Sequence, residues 1–362
     1  MYSESDLEAA VAAGALTAQQ AAAFRDYIAS TRHAPKVDEE QFRLLTGFND
    51  IFVAIAAVIL LVAVGWIGQY VGPQLDRNGP SPVAGLLVAV CAWGLAEYFT
   101  RERRMALPSI LLLLAFVGGV FATCAFTIGL TIGPDQFNNN EQLTALVVAG
   151  SAAVAGAAAW LHWQRFHVPI TIAAGAAALA GLIVALVASG IDSAPHSEEI
   201  VLGVVLAAGI GVFLLAMRWD SSDPRRETRR SDVAFWLHLL AAPMIVHPIF
   251  TLLGLTHGSA TAGEAGIVIA LYIILGLMAL AIDRRALLVS ALAYVLYALN
   301  SLFHEFGAIE LSVALTALII GSALLLLSAF WTNARRTVVR PLPVGLQARL
   351  PVLDRAAPLA AA

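Results

Sequence analysis

The sequence has little charge, two cysteines and a single lysine. Charged residues make up only 13% of its 362 residues, against roughly 25% in an average soluble protein. Hydrophobic residues make up 59%, and the mean hydropathy is +0.80. This balance excludes a soluble globular protein, a disordered protein and a coiled coil. The formal net charge of -4 gives no electrostatic basis for binding nucleic acid, so we expect no nucleic-acid partner.

The scarce residue types also exclude several kinds of site. Cys91 and Cys124 both lie inside long apolar runs, a pattern that predicts neither a disulfide framework nor a zinc site. Lys36 lies in a linker, so a phosphate-binding loop ending in Gly-Lys is absent. The H-E-x-x-H and G-x-S-x-G motifs are absent as well. We therefore expect no catalytic residues, no metal and no cofactor, and an enzyme is the least favoured class of function.

Long apolar runs are what the sequence has instead. A membrane-spanning helix needs about 20 mainly apolar residues, and ten segments meet this requirement. They cover residues 48–71, 82–99, 106–131, 142–162, 169–190, 200–218, 233–256, 265–282, 286–303 and 308–331. A run in lipid must satisfy its own backbone groups, and these runs lack the alternation of barrel strands, so each predicts a helix. The predicted fold is all-α, a polytopic membrane helix bundle of about ten transmembrane helices.

The arginines predict how this bundle lies in the membrane. Lys and Arg accumulate in the cytoplasmic connections of membrane proteins. In a chain with ten spans, all of the 21 basic residues except Arg77 fall in the two ends and in alternate connections on the same side. Both termini are therefore expected in the cytoplasm. The bilayer itself is the first expected partner.

The N-terminal segment predicts a short helical hairpin. Ser5 with Glu8, and Thr17 with Gln20, match the capping box that begins a helix. Gly14 stands where a left-handed residue would end the first helix. So short a segment cannot bury enough surface to fold alone. We expect it to dock on its own chain, on a second copy in a homo-oligomer, or on another protein.

These features divide the chain into four parts. Residues 1–35 form the cytoplasmic hairpin, which would meet a partner through residues 5–30, and residues 36–47 form a linker. Residues 48–331 form the transmembrane domain, and residues 332–362 form a basic cytoplasmic tail. The tail carries arginines beside apolar residues, which is typical either of contact with the anionic cytoplasmic leaflet or of a loosely ordered tail.

Three segments together resemble a known group of proteins. They are the G-F-N-D-I-F sequence over 47–52, the A-G-A-L-T-A-Q-Q sequence over 13–20, and the arginine tail with its Leu-Pro step. The chain resembles a family of uncharacterised bacterial multi-pass inner-membrane proteins classed as a domain of unknown function. The resemblance implies a bacterial cytoplasmic (inner) membrane and a helical N-terminal appendage. It implies no activity.

Polar residues inside the predicted spans are candidate functional residues because they are costly in lipid. Tyr294 begins a polar stripe on the ninth span, a threonine ladder occupies the outer half of the third, and a proline-flanked histidine lies in the seventh. The candidates to line an outward-facing cavity are Thr123, Thr127, His247, Tyr297, Asn300, Ser301 and His304. The alternative is ordinary packing, since threonines bond to their own helix and tyrosines gather at membrane interfaces.

A second candidate group lies near the cytoplasmic surface. Asp50 falls in the first turn of its predicted helix, where a carboxylate complements the helix dipole. Glu97 precedes Arg101 by four residues, a spacing that allows the two to pair. Capping and local pairing explain all three without a function.

Two classes of function fit these patterns. The first is a carrier or permease-like protein that takes a small or amphiphilic substrate through a cavity among the third, seventh and ninth spans. The alternative is a non-transporting membrane scaffold or regulatory protein that docks partners through its N-terminal hairpin.

Overall fold

The described part of the chain is helical throughout. The computed structural model describes residues 7, 10–31, 48–75, 79–191, 195–224, 226, 228–254, 262–305 and 312–353. Over these residues there are helices and turns but no strand, which confirms the all-α prediction. The chain forms two compact units, Met1–Phe42 and Arg43–Ala362.

The first unit contains the predicted hairpin residues. Helix α1 spans Ala18–Thr31. The Thr17 amide donates to the Gln20 side chain at 2.9 Å, and the Gln20 amide donates to the Thr17 hydroxyl at 3.2 Å, so this capping box is confirmed. Gly14 has a φ of 71°, in the left-handed region expected at a helix end. The other predicted box, Ser5 with Glu8, lies outside the described residues.

The second unit contains eleven long or medium helices in its described part. Their bounds are α2 Phe48–Val71, α3 Pro82–Ala96, α4 Ala106–Ile132, α5 Glu141–Phe166, α6 Ile170–Ile191, α7 Ser197–Ser221, α8 Arg229–Leu252, α9 Ala262–Ile282, α10 Ala286–Glu305, α11 Ser312–Ala329 and α12 Trp331–Val339. A π-helical turn over Glu97–Glu102 extends α3, and short helices occupy Pro134–Asn139 and Val344–Gln347. Each of the ten predicted spans overlaps one of the helices α2 to α11.

Seven described helices are long and apolar enough to cross a membrane, namely α2, α3 with its π-helical turn, and α4 to α8. An eighth is added if α11 and α12, which meet at a bend of 76°, are taken as one span. Shorter apolar stretches lie in α9 and α10, over Gly266–Ile282 and Leu287–Asn300. The helices are therefore compatible with a multi-pass membrane protein. The count of ten spans and the side of each terminus stay predictions.

Reporter fusions test the orientation that the arginines predict. A reporter active only in the periplasm should be active when fused at Asn139 or Thr261 and silent at Thr228 or Ala357, because only the last two positions fall on the arginine-rich side. A second reporter that works only in the cytoplasm should give the reverse pattern. Periplasmic activity at Thr228 would contradict the predicted orientation.

Neighbouring helices in the chain pack side by side through most of the second unit. Helices α2, α3 and α4 contact one another, α5 packs on α6, and α7 packs on α8. Helix α8 also contacts α6 and α10, and α10 contacts α9 and α11. One apolar cluster between α8 and α10 contains Val246, Phe250, Ala291 and Val295. This cluster brings the seventh and ninth predicted spans together.

A close helix crossing joins α3 to α4 at two glycines. A Cβ atom added to Gly85 would lie 2.7 Å from the carbonyl oxygen of Gly119, and a Cβ on Gly119 would lie 2.7 Å from the carbonyl oxygen of Gly85. Real Cβ atoms do not approach a backbone that closely. Small residues allow helix backbones in membranes to come this near.

The chain after α11 folds back onto the bundle. Trp331, Arg335 and Val339 are the buried face of α12. Further on, the Val352 amide donates to the Pro224 carbonyl at 3.3 Å, which ties the tail to the connection between α7 and α8. The described part of the predicted basic tail, residues 332–353, thus contacts the helices through the buried face of α12 and through Val352.

Candidate functional site: a buried ion network

Charged and polar side chains from five parts of the second unit meet in its interior. They come from the end of α7, from α8, from the connections before α8 and α10, and from α12. We call this group the ion network, and it consists of Asp220, Arg226, His238, Asp283, Arg284, Trp331 and Arg335. Each member is at most 6% exposed. Buried charges of this kind persist only where they are paired and hydrogen-bonded.

Asp220, in the last turn of α7, is the first centre of the network. Arg284 donates to both of its carboxylate oxygens, from Nε at 3.2 Å and from Nη2 at a shorter distance. His238 on α8 places Nε2 3.0 Å from Oδ2 of the same carboxylate. Arg284 also donates to the Ser231 carbonyl at 3.0 Å. One carboxylate therefore holds the end of α7, the body of α8 and the start of α10 together.

Asp283, just after α9, is the second centre. Its Oδ2 accepts from Arg226 Nη1 at 2.8 Å, and its Oδ1 accepts from the Trp331 indole at 2.7 Å. Arg335 Nε lies 3.7 Å from Oδ1. The Arg335 guanidinium continues to the Val352 carbonyl at 3.2 Å. This centre joins the α7–α8 connection and the C-terminal segment to α9.

The two partners of one ion pair both have an unusual backbone conformation. Arg226 has a φ of 55° and Asp283 a φ of 57°, in the left-handed region that costs a residue with a side chain roughly 1–2 kcal/mol. Arg226 also donates from Nη2 to the Asp283 carbonyl at 2.9 Å. The bonds between the two residues offset the strain of both turns.

The charges of the network are nearly balanced. Arg226, Arg284 and Arg335 face Asp220 and Asp283, and His238 lies beside Asp220. Burial, followed by repulsion from Arg284, lowers the pKa of Arg226 to about 10, so this arginine stays protonated at neutral pH. The network closes one end of the helix group with fixed charges, and we call this end the basic end.

Two of the predicted cavity residues lie on α8 and α10, away from the network. His247 Nδ1 lies 2.7 Å from the Tyr294 hydroxyl, and Phe250 stacks on the Tyr294 ring at 4.4 Å between centroids. Asn300 lies further along α10, and its Oδ1 is buried with no hydrogen-bond partner among the described residues. The polar faces of α8 and α10 therefore meet, as the convergence of the seventh and ninth spans requires.

The other predicted cavity residues divide into two groups. The side chains of Tyr297, Ser301 and His304 lie outside the described part of the structure. Thr123 and Thr127 donate to their own helix, to the Gly119 carbonyl at 2.7 Å and to the Thr123 carbonyl at 2.6 Å. Their helix packs mainly on α2, α3 and α5. The structure thus does not bring these threonines to His247, although the third span had been expected to share that cavity.

The predicted cytoplasmic-side residues are found as one ion pair, Glu97 with Arg101, and one buried carboxylate, Asp50. Glu97 accepts from Arg101 at 3.3 Å, the spacing expected from the sequence. Its closer partner is Arg165 at the end of α5, which donates twice at 2.8 Å. Asp50 is buried in the first turn of α2. The Glu97 pair links the ends of α3 and α5 at the molecular surface.

The ion network was missed by reasoning from the sequence. A signal was nevertheless present, because Asp220 and Asp283 are acidic residues that directly follow long apolar runs on the side where arginines accumulate. The rule that places Lys and Arg in cytoplasmic connections does not account for an acidic residue there. An acidic residue at such a position therefore indicates a specific partner. His238 gave no such signal, since a single histidine in an apolar helix is also found in ordinary packing.

The comparisons with known proteins offer no function to transfer. No protein-family model, curated protein or solved structure matches the chain. Within the described ranges, no group of three or more His, Cys, Asp or Glu side chains is placed to hold a metal ion. The geometry itself offers two features, the buried ion network, which includes His238 on α8, and the polar contact of His247 with Tyr294 further along α8.

Proposed function

We propose that this chain is an integral inner-membrane carrier for a small or amphiphilic substrate, with a polar pathway between α8 and α10 that opens toward the periplasm. The observation that carries the proposal is the contact between His247 and Tyr294. It joins two polar faces that lie on separate apolar helices. Polar side chains are retained in a membrane interior where they bind a substrate or ion or line a path for one.

The pathway is supported by the direction of the two helices. Helices α8 and α10 both begin at the ion network, since Arg284 precedes α10 and bonds to Ser231 in the first turn of α8. Residues after His247 and Tyr294 therefore lie progressively further from the basic end. Thr251 follows His247 by one helical turn, and Asn300 follows Tyr294 by six residues. Both therefore lie further from the closed end than the His247–Tyr294 pair does.

Unpartnered polar atoms mark this outer part of the α8–α10 contact. Thr251 Oγ1 and Asn300 Oδ1 are buried, and neither has a partner in the part of the chain that the structure describes. A buried polar atom without a hydrogen bond costs about 1–3 kcal/mol. Water or a substrate group bound along the pathway would supply the missing bonds.

The ion network is the closed end of this pathway. His238 precedes His247 by nine residues, or about 13 Å along α8. The apolar cluster that contains Val246, Phe250 and Val295 surrounds the His247–Tyr294 pair, and the buried ion pair of His238 lies on the other side of this level, toward the start of α8. A substrate entering from the outer side would therefore be stopped before the basic end.

Thiol labelling tests the pathway directly. In a chain with Cys91→Ala and Cys124→Ala, we expect Asn300→Cys to react with a membrane-impermeant thiol reagent added from the periplasmic side, because a pathway admits water. Leu299→Cys and Leu296→Cys are the matched controls on the neighbouring positions of α10, since Leu299 is packed at 8% exposure and Leu296 is 37% exposed.

Both controls should react far less, since a packed face and a lipid-facing one both exclude water. If Asn300→Cys is as unreactive as Leu299→Cys, the pathway is contradicted and the α8–α10 contact is ordinary packing. That result would favour the second candidate, a non-transporting scaffold or regulatory protein. The observation in its favour is that Met1–Phe42 forms its own unit, in which Phe24 is 41% exposed for a protein partner to bind.

A further inference from the structure

We propose that the basic end of this protein contacts an anionic membrane surface through residues 340–352, which we call the tail loop. Val344 and Leu346 are exposed apolar side chains of this loop, and they enter the headgroup layer of the bilayer. Arg340 and Arg349 are its exposed arginines, and they meet the lipid phosphates. The partner is a lipid surface, and the inference is independent of the α8–α10 pathway.

Hydrogen bonds hold the tail loop at both of its ends. The Gln347 side chain donates to the Leu342 carbonyl at 2.7 Å and to the Arg340 carbonyl at 3.1 Å, which closes the first half of the loop on itself. Arg335 on α12 donates to the Val352 carbonyl at 3.2 Å, which holds the second half. The exposed side chains between these points are therefore presented from a backbone that is tied to the protein.

The tail loop lies at the level where long apolar helices end. Helix α12, which leads into the loop, leaves α11 at 76°. Over its nine residues, about 13 Å, it therefore advances only about 3 Å along the direction of α11. At its other end the Val352 amide bonds to the carbonyl of Pro224, three residues after α7. If α7 and α11 span the membrane, the loop lies at the level of the lipid headgroups.

Apolar side chains are exposed at this level. Val344 is 81% exposed and Leu346 is 52% exposed, and both belong to the short helix in the middle of the loop. Phe330, at the bend between α11 and α12, is 57% exposed. Removing such apolar surface from water is favourable. Side chains of this kind beside basic residues are typical of a segment that enters the boundary between headgroups and acyl chains.

The exposed charge around the tail loop is positive. In the described parts of residues 218–232, 283–285 and 331–353, every exposed charged side chain is an arginine, and the acidic side chains are buried or half-buried. The exposed set is Arg218, Arg229, Arg230, Arg340 and Arg349. The ion network thus keeps the carboxylates inside and leaves arginines at the surface. The arginine count predicts that this end is cytoplasmic, and the cytoplasmic leaflet has a negative surface potential.

The size and charge of the surface favour a membrane over a protein partner. A stable protein–protein interface buries roughly 1,200–2,000 Å², whereas the tail loop and the neighbouring bend expose only four large apolar side chains. They are Phe330, Val344, Leu346 and Val352. A bilayer surface needs no such area, because the helices already hold the protein beside it. The arginines of the loop then complement the phosphates of the leaflet.

Reconstitution of the full-length protein into nanodiscs tests the proposal. In a chain with Cys91→Ala and Cys124→Ala, Val344→Cys is labelled with the solvent-sensitive fluorophore NBD. When phosphatidylglycerol replaces part of the phosphatidylcholine, its emission should move to shorter wavelength and its quenching by acrylamide should fall, because the label enters the headgroup layer. Asn333→Cys is the matched control, since Asn333 is exposed on α12 outside the loop. A label there should give the same emission in both membranes.

Charge variants show whether the arginines of the loop are responsible. Arg340→Gln combined with Arg349→Gln, in labelled Val344→Cys, should remove most of the phosphatidylglycerol effect, since each basic residue at an anionic surface contributes about a fivefold change in binding. Arg230→Gln removes an exposed arginine of the same end outside the loop and should keep the effect. All of these positions are exposed, so the unfolding midpoint should stay unchanged.

Three results would overturn the proposal. The first is equal emission and equal quenching of labelled Val344→Cys in the two membranes, which would leave the tail loop free for a protein partner. The second is an equal shift of the label in Asn333→Cys, since the loop would then have no special contact. The third is an equal loss in Arg230→Gln and in the double arginine variant, since the charge of the whole end would then act without the loop.

Discussion

Replacing Arg284 with leucine is expected to destabilise the protein by about 3–5 kcal/mol, the typical cost of breaking a buried ion pair. The Asp220 carboxylate is buried, at 1% exposure. Without Arg284 it keeps His238 as its one side-chain partner among the described residues. Three elements lose their common attachment, because Arg284 also bonds to Ser231. Denaturation followed by circular dichroism in mild detergent would measure the loss.

Two further variants show whether the effect comes from the uncompensated charge. Asp220→Asn combined with Arg284→Leu should recover part of the stability, since no buried carboxylate is then left unpaired. Arg101→Gln breaks the exposed pair with Glu97 and should leave the denaturation midpoint unchanged, because exposed ion pairs contribute little. If Arg284→Leu were as stable as Arg101→Gln, the ion network would not be what holds the basic end together.

Two adjacent glycines on α4 are expected to respond to alanine in opposite directions. A Cβ on Gly119 would lie 2.7 Å from the Gly85 carbonyl oxygen and 2.9 Å from the Ala89 amide nitrogen, so α3 and α4 must separate. Overpacking of this kind costs about 1–3 kcal/mol. A Cβ on Gly118 meets nothing within 4 Å. Gly118→Ala should therefore be neutral or stabilising, by up to about 1 kcal/mol, because alanine is the better helix former.

The thermal unfolding midpoints of the two variants in the same detergent give the comparison. The pair is well matched, because the residues are neighbours in one helix and undergo the same chemical change. Only the space around the new methyl group differs. An upward shift of both midpoints would show that helix propensity outweighs the α3–α4 crossing.

The positions of the helices follow from local properties of the chain. The ten predicted runs overlap α2 to α11 because an apolar segment that leaves water must pair its own backbone groups, whatever its neighbours are. The Thr17–Gln20 capping box and the left-handed Gly14 were also predictable, since each depends on residues at most three or four positions apart. The contact of Glu97 with Arg101 belongs to the same class.

Reasoning from the sequence predicted the candidate site only where polar residues recur at helical spacing within a span. The polar stripe of the ninth span and the histidine of the seventh indicated two faces, and the structure joins them through His247 and Tyr294. Thr123 belonged to an equally regular pattern, yet its helix packs elsewhere and its hydroxyl bonds to its own backbone. Periodicity shows which residues share a face, but it does not show which face lies opposite.

The sequence by itself determined the all-helical class of this protein and the places of its apolar helices, because both depend on local hydropathy along the chain. Charge counted along the chain predicts the side of the membrane on which the arginines lie. Only the tertiary structure decided which charges are buried together. Asp220 bonds to Arg284 across 64 residues, and Asp283 to Trp331 across 48. Such pairs depend on how helix ends are arranged in space, and that arrangement is set by close contacts such as Gly85 on Gly119, where fractions of an ångström decide what fits.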